Sequence, residues 1–154
     1  MNKSLSQVLE FHKTFNHPVL DSPTIPSEDR CRLRVSLIQE ELDELSEAIK
    51  NKDLVEVADA LSDLQYVLNG AVLEFGIKDK FDELNDEVNR SNMSKACNNL
   101  HELKETQDFY TQNGVETFVE ESEGKFIVKR KSDKKILKNK YYSNAKVNEI
   151  LFKV

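Results

Sequence analysis

All three prolines of the chain fall between Pro18 and Pro26, and only four glycines interrupt its 154 residues. Proline removes a backbone donor and glycine costs helical entropy, so their scarcity elsewhere leaves long stretches free to wind into helices. Apolar spacing agrees. Leu5, Val8, Leu9, Phe11 and Phe15 predict a helix over 4–15, and the proline-bearing stretch NHPVLDSPTIP, 16–26, must be a loop. Ser27 is placed to cap a second helix reaching about Lys50, with the apolar stripe Ile38, Leu42, Leu45 and Ile49. After a tight connection at Asn51-Lys52, a third helix is expected from Asp53 to Phe75, closed by Gly76. A fourth and a fifth follow over 78–90 and 94–110. Beyond Gly114, Phe126, Ile127 and Val128 precede the polar turn RKSDKK and then Ile136-Leu137, which predicts a small β-hairpin. The expected fold class is all-α: an antiparallel helical bundle with a small C-terminal β-hairpin. One domain is expected, with its helical core at about 4–110 and the hairpin extension at about 115–154.

Charge narrows the function classes. The net charge of -6 disfavours a nucleic-acid backbone as the main partner. No apolar run is long enough for a membrane span, and the start MNKSLSQVLEF lacks a signal-peptide core, so a soluble cytoplasmic protein is expected. Cys31 and Cys97 have no metal-like spacing and read as reduced thiols. The charge is also unevenly spread. Fifteen Asp or Glu face five Lys or Arg between Ser36 and Arg90, whereas Lys125 to Lys140 holds eight Lys or Arg and one acid, Asp133. An acidic middle suits cations. The basic tail is either a solvated hairpin or a flap for an anion.

The acids occupy defined arcs. At about 100° per residue, Glu40, Glu41 and Glu44 share one third of the second helix, opposite its apolar stripe. On the third helix, with Glu56 at zero, Asp59 falls near about -60° and Asp63 near about -20°. Most of the remaining surface is apolar, including Val57, Leu61, Leu64, Leu68 and Val72, so this helix should be central. Its three acids will repel one another, and the helix itself carries no Lys or Arg to offset them. Asp53 and Glu56 also fit a helix-capping arrangement. With no His or Cys among them, oxygen ligands of this kind suit Mg²⁺ or Mn²⁺ rather than zinc.

Glu40-Glu41-x-x-Glu44 followed by Glu56-x-x-Asp59 resembles the EExxE…ExxD signature of the all-α nucleoside triphosphate pyrophosphohydrolases, which include MazG proteins, dimeric dUTPases, dCTPases and phosphoribosyl-ATP pyrophosphohydrolase. The stretches DLVEVADALSDLQYVLNGAVLEFGI and DEVNRSNMSKA look most like the MazG-like, phosphoribosyl-ATP pyrophosphohydrolase-like branch, and the similarity spans residues 4–96. The resemblance implies Mg²⁺, with Mn²⁺ as a substitute, held by Glu41, Glu44, Glu56 and Asp59, with Asp63 one turn on as an additional acid. It implies that Glu41 orients or deprotonates the attacking water and that Glu40 assists. Arg90, Asn92 and Lys95 match positions that approach the phosphates, while Asn89 departs from relatives that carry histidine there.

The implied reaction is hydrolysis of a nucleoside triphosphate between its α and β phosphates, giving a nucleoside monophosphate and pyrophosphate, in nucleotide-pool sanitation. The implied assembly is a homodimer or homotetramer. Phosphoribosyl-ATP hydrolysis in histidine biosynthesis is an alternative reading. A non-catalytic bundle that binds a nucleotide or a partner is another. Phe11 and Phe15 either pack in the core or stack on a base; His17 is either a plain loop residue or a base contact.

Overall fold

The computed structural model describes residues 2–153. The chain forms two compact units, Met1–Glu83 and Leu84–Val154. Helix α4, Phe81–Met93, carries the chain from one into the other.

Three helices build the first unit: α1 (Lys3–Thr14), α2 (Glu28–Asn51) and α3 (Leu54–Glu74). Each boundary has a local cause. The Asn2 side chain accepts the Leu5 amide at 2.9 Å to start α1. Asp53 accepts from the amides of Val55 and Glu56 and starts α3, as its sequence position predicts. Ser27 precedes α2 as expected, but its side chain makes no capping bond. Lys52 ends α2 in the left-handed region (φ 57°), and its amide returns to the carbonyls of Ala48 and Ile49. The turn is tight enough to set α2 and α3 side by side.

The loop 16–26 runs back along the end of α3. Leu20 and Thr24 donate backbone hydrogen bonds to the carbonyls of Leu73 and Phe75. Gly76 (φ 67°) is required there, because a Cβ would strike the Ser22 carbonyl. The apolar core of this unit joins Leu5 and Val8 to Val72 and Leu73, flanked by Leu9, Val19, Ile77 and Phe81.

A buried ionic network ties the three helices together. Glu74, fully buried on α3, accepts from Arg30 and Arg34, both on α2. Burial pushes the Glu74 carboxyl up, but the hydrogen bonds and charges of the two arginines outweigh it and hold it below its ordinary range. His12 of α1 donates through Nδ1 to the Pro18 carbonyl at 2.9 Å and offers Nε2 to Arg34 at 3.4 Å. Its pKa is lowered, first by burial and then by Arg34. The neutral ring is therefore the one that fits. At Gly70 of α3 a side chain would collide with the Arg34 guanidinium and the His12 ring.

The second unit holds the rest of α4, α5 (Leu100–Gln112), strands β1 (Thr117–Ser122) and β2 (Lys125–Arg130), and a short α6 (Val147–Leu151). Its core is Cys97, Val128 and Leu137 with Leu103, Tyr110, Val115 and Phe126 around them. Both cysteines are free thiols, as expected.

Several sequence expectations need correction. The hairpin exists, but its strands are β1 and β2, antiparallel from Thr117 opposite Arg130 to Ser122 opposite Lys125. The turn is Glu123-Gly124, both at positive φ, which matches the twist of a two-residue hairpin. RKSDKK forms a separate turn, and Ile136 makes only an isolated bridge to Lys129. Helix α5 starts at Leu100, because Cys97 is held by paired backbone bonds to Phe126 and Asn99 caps the helix. Helix α4 starts at Phe81, because 77–80 are taken up by a turn from Ile77 to Lys80. The apolar surface of α3 is covered only in part: Val72 and Leu73 are buried, but Leu54 and Val55 are more than three-quarters exposed, and Leu61 and Leu68 are exposed too.

Removing one partner of a buried ion pair strands the other charge. Glu74→Gln is expected to destabilise the protein by about 3–5 kcal/mol, read as a lower urea midpoint at unchanged slope.

Candidate functional site

The acid-bearing faces of α2 and α3 meet. Ala48 on α2 and Ala60 on α3 are both buried, and such small side chains let the two backbones approach. Between the helices lies a cavity of about 380 Å³ lined by Glu44, Glu47, Asn51, Asp53, Glu56 and Asp59 along with these two alanines. Three of the expected ligands, Glu44, Glu56 and Asp59, thus share one concave wall.

Glu41 lies one turn before Glu44 and is half-buried. Its Oε2 is out of contact with solvent and has no hydrogen-bond partner. Its pKa is raised, first by burial and then by the charges of Glu44, Asp63, Glu40 and Asp59. The structure therefore brings Glu40, Glu41, Glu44, Asp59 and Asp63 into one electrostatic group. Glu56 joins it through the cavity it shares with Glu44 and Asp59. Glu40 also borders a separate groove of about 600 Å³ with Cys31, Val35, Gln39 and Asp43.

Among the described residues, no ion pair answers this charge. Among the described residues, the ion pairs on α2 and α3 go to Glu28, Asp29, Glu47 and Glu74. None goes to Glu41, Glu44, Glu56, Asp59 or Asp63. Among the same residues, no three His, Cys, Asp or Glu stand close enough to grip a metal ion in their present rotamers. The donor set still fits a hard divalent cation: it is all oxygen, strongly negative, and contains a buried carboxylate oxygen with nothing to bind. Exposed carboxylates can turn inward by rotamer changes when a cation arrives.

Three polar cavity residues, Glu47, Asn51 and Asp53, are not among the ligands the sequence suggests. Glu47 lies one turn beyond Glu44, a position the helical spacing could have flagged. Its carboxylate is taken by Asn51 at 3.0 Å and Lys50 at 3.3 Å. Asp53 had been read as a cap, and it is one; it lines the wall as well.

The expected phosphate contacts lie in the second unit. Arg90 grips Glu87 with two hydrogen bonds, at 2.7 and 2.8 Å, and donates to the Asn144 carbonyl at 3.0 Å. Glu87, which also accepts the Lys146 amide, is pulled down to about 2, chiefly by Arg90. Lys95 donates to the Asn92 side chain at 2.8 Å. The polar groups of all three residues are thus engaged with neighbours at the end of α4 and in the tail.

A family model described as phosphoribosyl-ATP pyrophosphohydrolase matches residues 8–92, more than half of the chain. The chain belongs to this family, within the MazG-like all-α nucleoside triphosphate pyrophosphohydrolase superfamily. Membership supports a pyrophosphohydrolase activity in general. The matched span runs from α1 to the end of α4 and contains every acid described above. An uncharacterized protein of Acanthamoeba polyphaga mimivirus is 38% identical over 72 residues, which cover 44% of this chain and 29% of that protein. The chain thus spans less than a third of that relative's length. Among the described residues, no helix is long and apolar enough to cross a membrane.

The raised pKa of Glu41 has a clear sign. The folded protein holds this proton more tightly than the unfolded chain, so the carboxylate costs stability as pH rises through and above its ordinary 4.5. With divalent cations chelated, Glu41→Gln is expected to melt above the parent at pH 7–8 and to lose that advantage near pH 4. Differential scanning calorimetry at the two pH values checks this.

Proposed function

We propose that the protein hydrolyses a nucleoside triphosphate between the α and β phosphates, releasing a nucleoside monophosphate and pyrophosphate, and that it does so with Mg²⁺. The observation that carries this reading is the buried Glu41 carboxylate oxygen, which has no hydrogen-bond partner among the described residues and feels the charges of Glu44, Asp63, Glu40 and Asp59. Family membership supplies the reaction class.

In this reading Glu41, Glu44, Glu56 and Asp59 hold Mg²⁺, or Mn²⁺ in its place, with Asp63 completing the negative wall. The bound cation supplies charge neutralisation at the phosphates and lowers the pKa of a coordinated water. Glu41 would orient the attacking water or accept its proton, the role its place in the acidic motif implies. Glu40 keeps Glu41 basic by charge and orients the water. Arg90, Asn92 and Lys95 are proposed phosphate contacts on the strength of their family positions, and Arg90 must exchange Glu87 for phosphate to act as one.

The reading includes a homodimer or homotetramer in the cytoplasm, working in nucleotide-pool sanitation. Exposed Val35, Leu42, Ile49, Leu54, Val55 and Leu61 on α2 and α3 support self-association, since an apolar face of that extent is costly to leave in water. The family's own description favours phosphoribosyl-ATP as the second substrate to test.

The test is pyrophosphate release from a panel of canonical, deoxy and damaged nucleoside triphosphates and phosphoribosyl-ATP, with Mg²⁺ and with EDTA. Release should require the cation. Glu56→Ala should abolish it and weaken Mn²⁺ binding more than about tenfold, while its far-ultraviolet spectrum stays that of the parent. A Glu56→Ala variant that turns over normally removes the metal reading. Silence across the whole panel removes the enzyme reading and leaves a binding bundle.

A further inference from the structure

The acidic face of α3 does not end at Asp63. Asp59, Asp63 and Tyr66 follow one another at i, i+4 and i+7, which keeps them in one narrow stripe. The rise from Asp63 to Tyr66 is about 4.5 Å, comparable with the reach of a pentose ring. Around Tyr66 the first unit gathers further rings. Phe11 of α1 meets Tyr66 edge-on at 5.7 Å, and Phe15 lies 4.5 Å from Phe11. The His17 ring stands 5.7 Å from Phe11. It is brought there by a sharp reversal after α1, where Asn16 takes a left-handed conformation (φ 55°) and the His17 amide bonds the His12 carbonyl.

These rings are not core. Phe11 is 37% exposed, Tyr66 38% and Phe15 60%. Of the two sequence readings of Phe11 and Phe15, burial is therefore the one the structure does not favour. Exposed aromatics cost free energy in water unless something covers them.

We propose that Phe11, Phe15, His17 and Tyr66 form the platform on which the nucleobase of the substrate stacks, and that this platform reads the face of the base and not its edge. This rests on the pyrophosphohydrolase reading above. The occupant follows from the stripe: a nucleotide with its phosphates against Asp59 and Asp63 extends its base along α3 onto Tyr66. Indifference to base identity follows from the surrounding polar groups. Asn69, the nearest buried amide on α3, spends its oxygen on Gln65 and its nitrogen on Ser4. The His12 ring is likewise spent on Pro18 and Arg34. The rings themselves carry two polar groups, the Tyr66 hydroxyl and the half-buried His17 ring, few for discriminating four base edges. Strong discrimination needs buried polar groups that the wrong ligand leaves unpaired. Stacking alone accepts any base, because every base has a π-face.

The experiment is isothermal titration of the full chain, in Mg²⁺, with the non-hydrolysable α,β-imido triphosphates of adenosine, guanosine, cytidine and uridine. Inorganic triphosphate serves as the base-free probe. The four analogues should bind within about tenfold of one another and more tightly than inorganic triphosphate. Tyr66→Ala and Phe15→Ala should weaken all four together, by roughly five- to a hundredfold, and Tyr66→Phe should keep parent affinity. A hundredfold preference for one base overturns the face-only reading. Unchanged affinities in both alanine variants overturn the platform. If those variants instead change only the sedimentation coefficient, the patch covers a second copy of the chain and the proposal falls. Analogues that bind as expected while the parent triphosphates release no pyrophosphate sink the hydrolase reading and leave the platform standing.

Discussion

The geometry of the first unit depends on one buried carboxylate. Glu74 is fully buried, and its charge persists because Arg30 and Arg34 reach it from α2. That contact fixes α2 against α3 at one end. It also dictates two sequence choices. Residue 70 must be glycine to admit the Arg34 guanidinium, and residue 12 must be able to stay neutral beside it. His12 then carries the constraint to the Pro18 carbonyl and so to the loop that holds Leu20 and Thr24 against α3.

The functional consequence lies two turns further along α2. Arg34 and Glu41 are seven residues apart, on the same face of the helix. Pinning Arg34 to Glu74 therefore aims Glu41 at α3, where Asp59 and Asp63 await it. Ala48 and Ala60 close the other end of the pair without bulk. The fold thus pairs its buried carboxylate Glu74 at one end of α2–α3, whereas Glu41, Glu44, Glu56, Asp59 and Asp63 have no ion pair among the described residues.

Much of this was legible from residues alone, where the signal was local. Asp53, Gly76 and the proline-bearing loop each mark a boundary through their own backbone chemistry. The acids of α2 and α3 could be set on converging faces because a helix has a fixed period. What escaped was non-local. Nothing in the sequence distinguishes Glu74, Arg30 and Arg34 from ordinary surface charges; their burial exists only once α1, α2 and α3 have packed. The hairpin was expected in the right region; its strand 126–128 pairs mainly with β1, and the expected partner Ile136-Leu137 meets it only in a short bridge. The polar RKSDKK turn was the more conspicuous break, whereas Glu123-Gly124 sets the register through two residues at positive φ. The apolar surface of α3 read as a central helix, and the chain leaves much of it uncovered.

Burial and neighbouring carboxylates raise the pKa of Glu41, and a divalent cation bound there is expected to displace its proton. Calorimetric titration of Mn²⁺ into the protein near pH 5.5, repeated in buffers of different ionisation enthalpy, counts the protons released on binding. The account predicts net proton release that disappears in Glu41→Gln, since a cation can bind that oxygen only after the proton leaves. Binding without proton release, or release unchanged by the substitution, would contradict it.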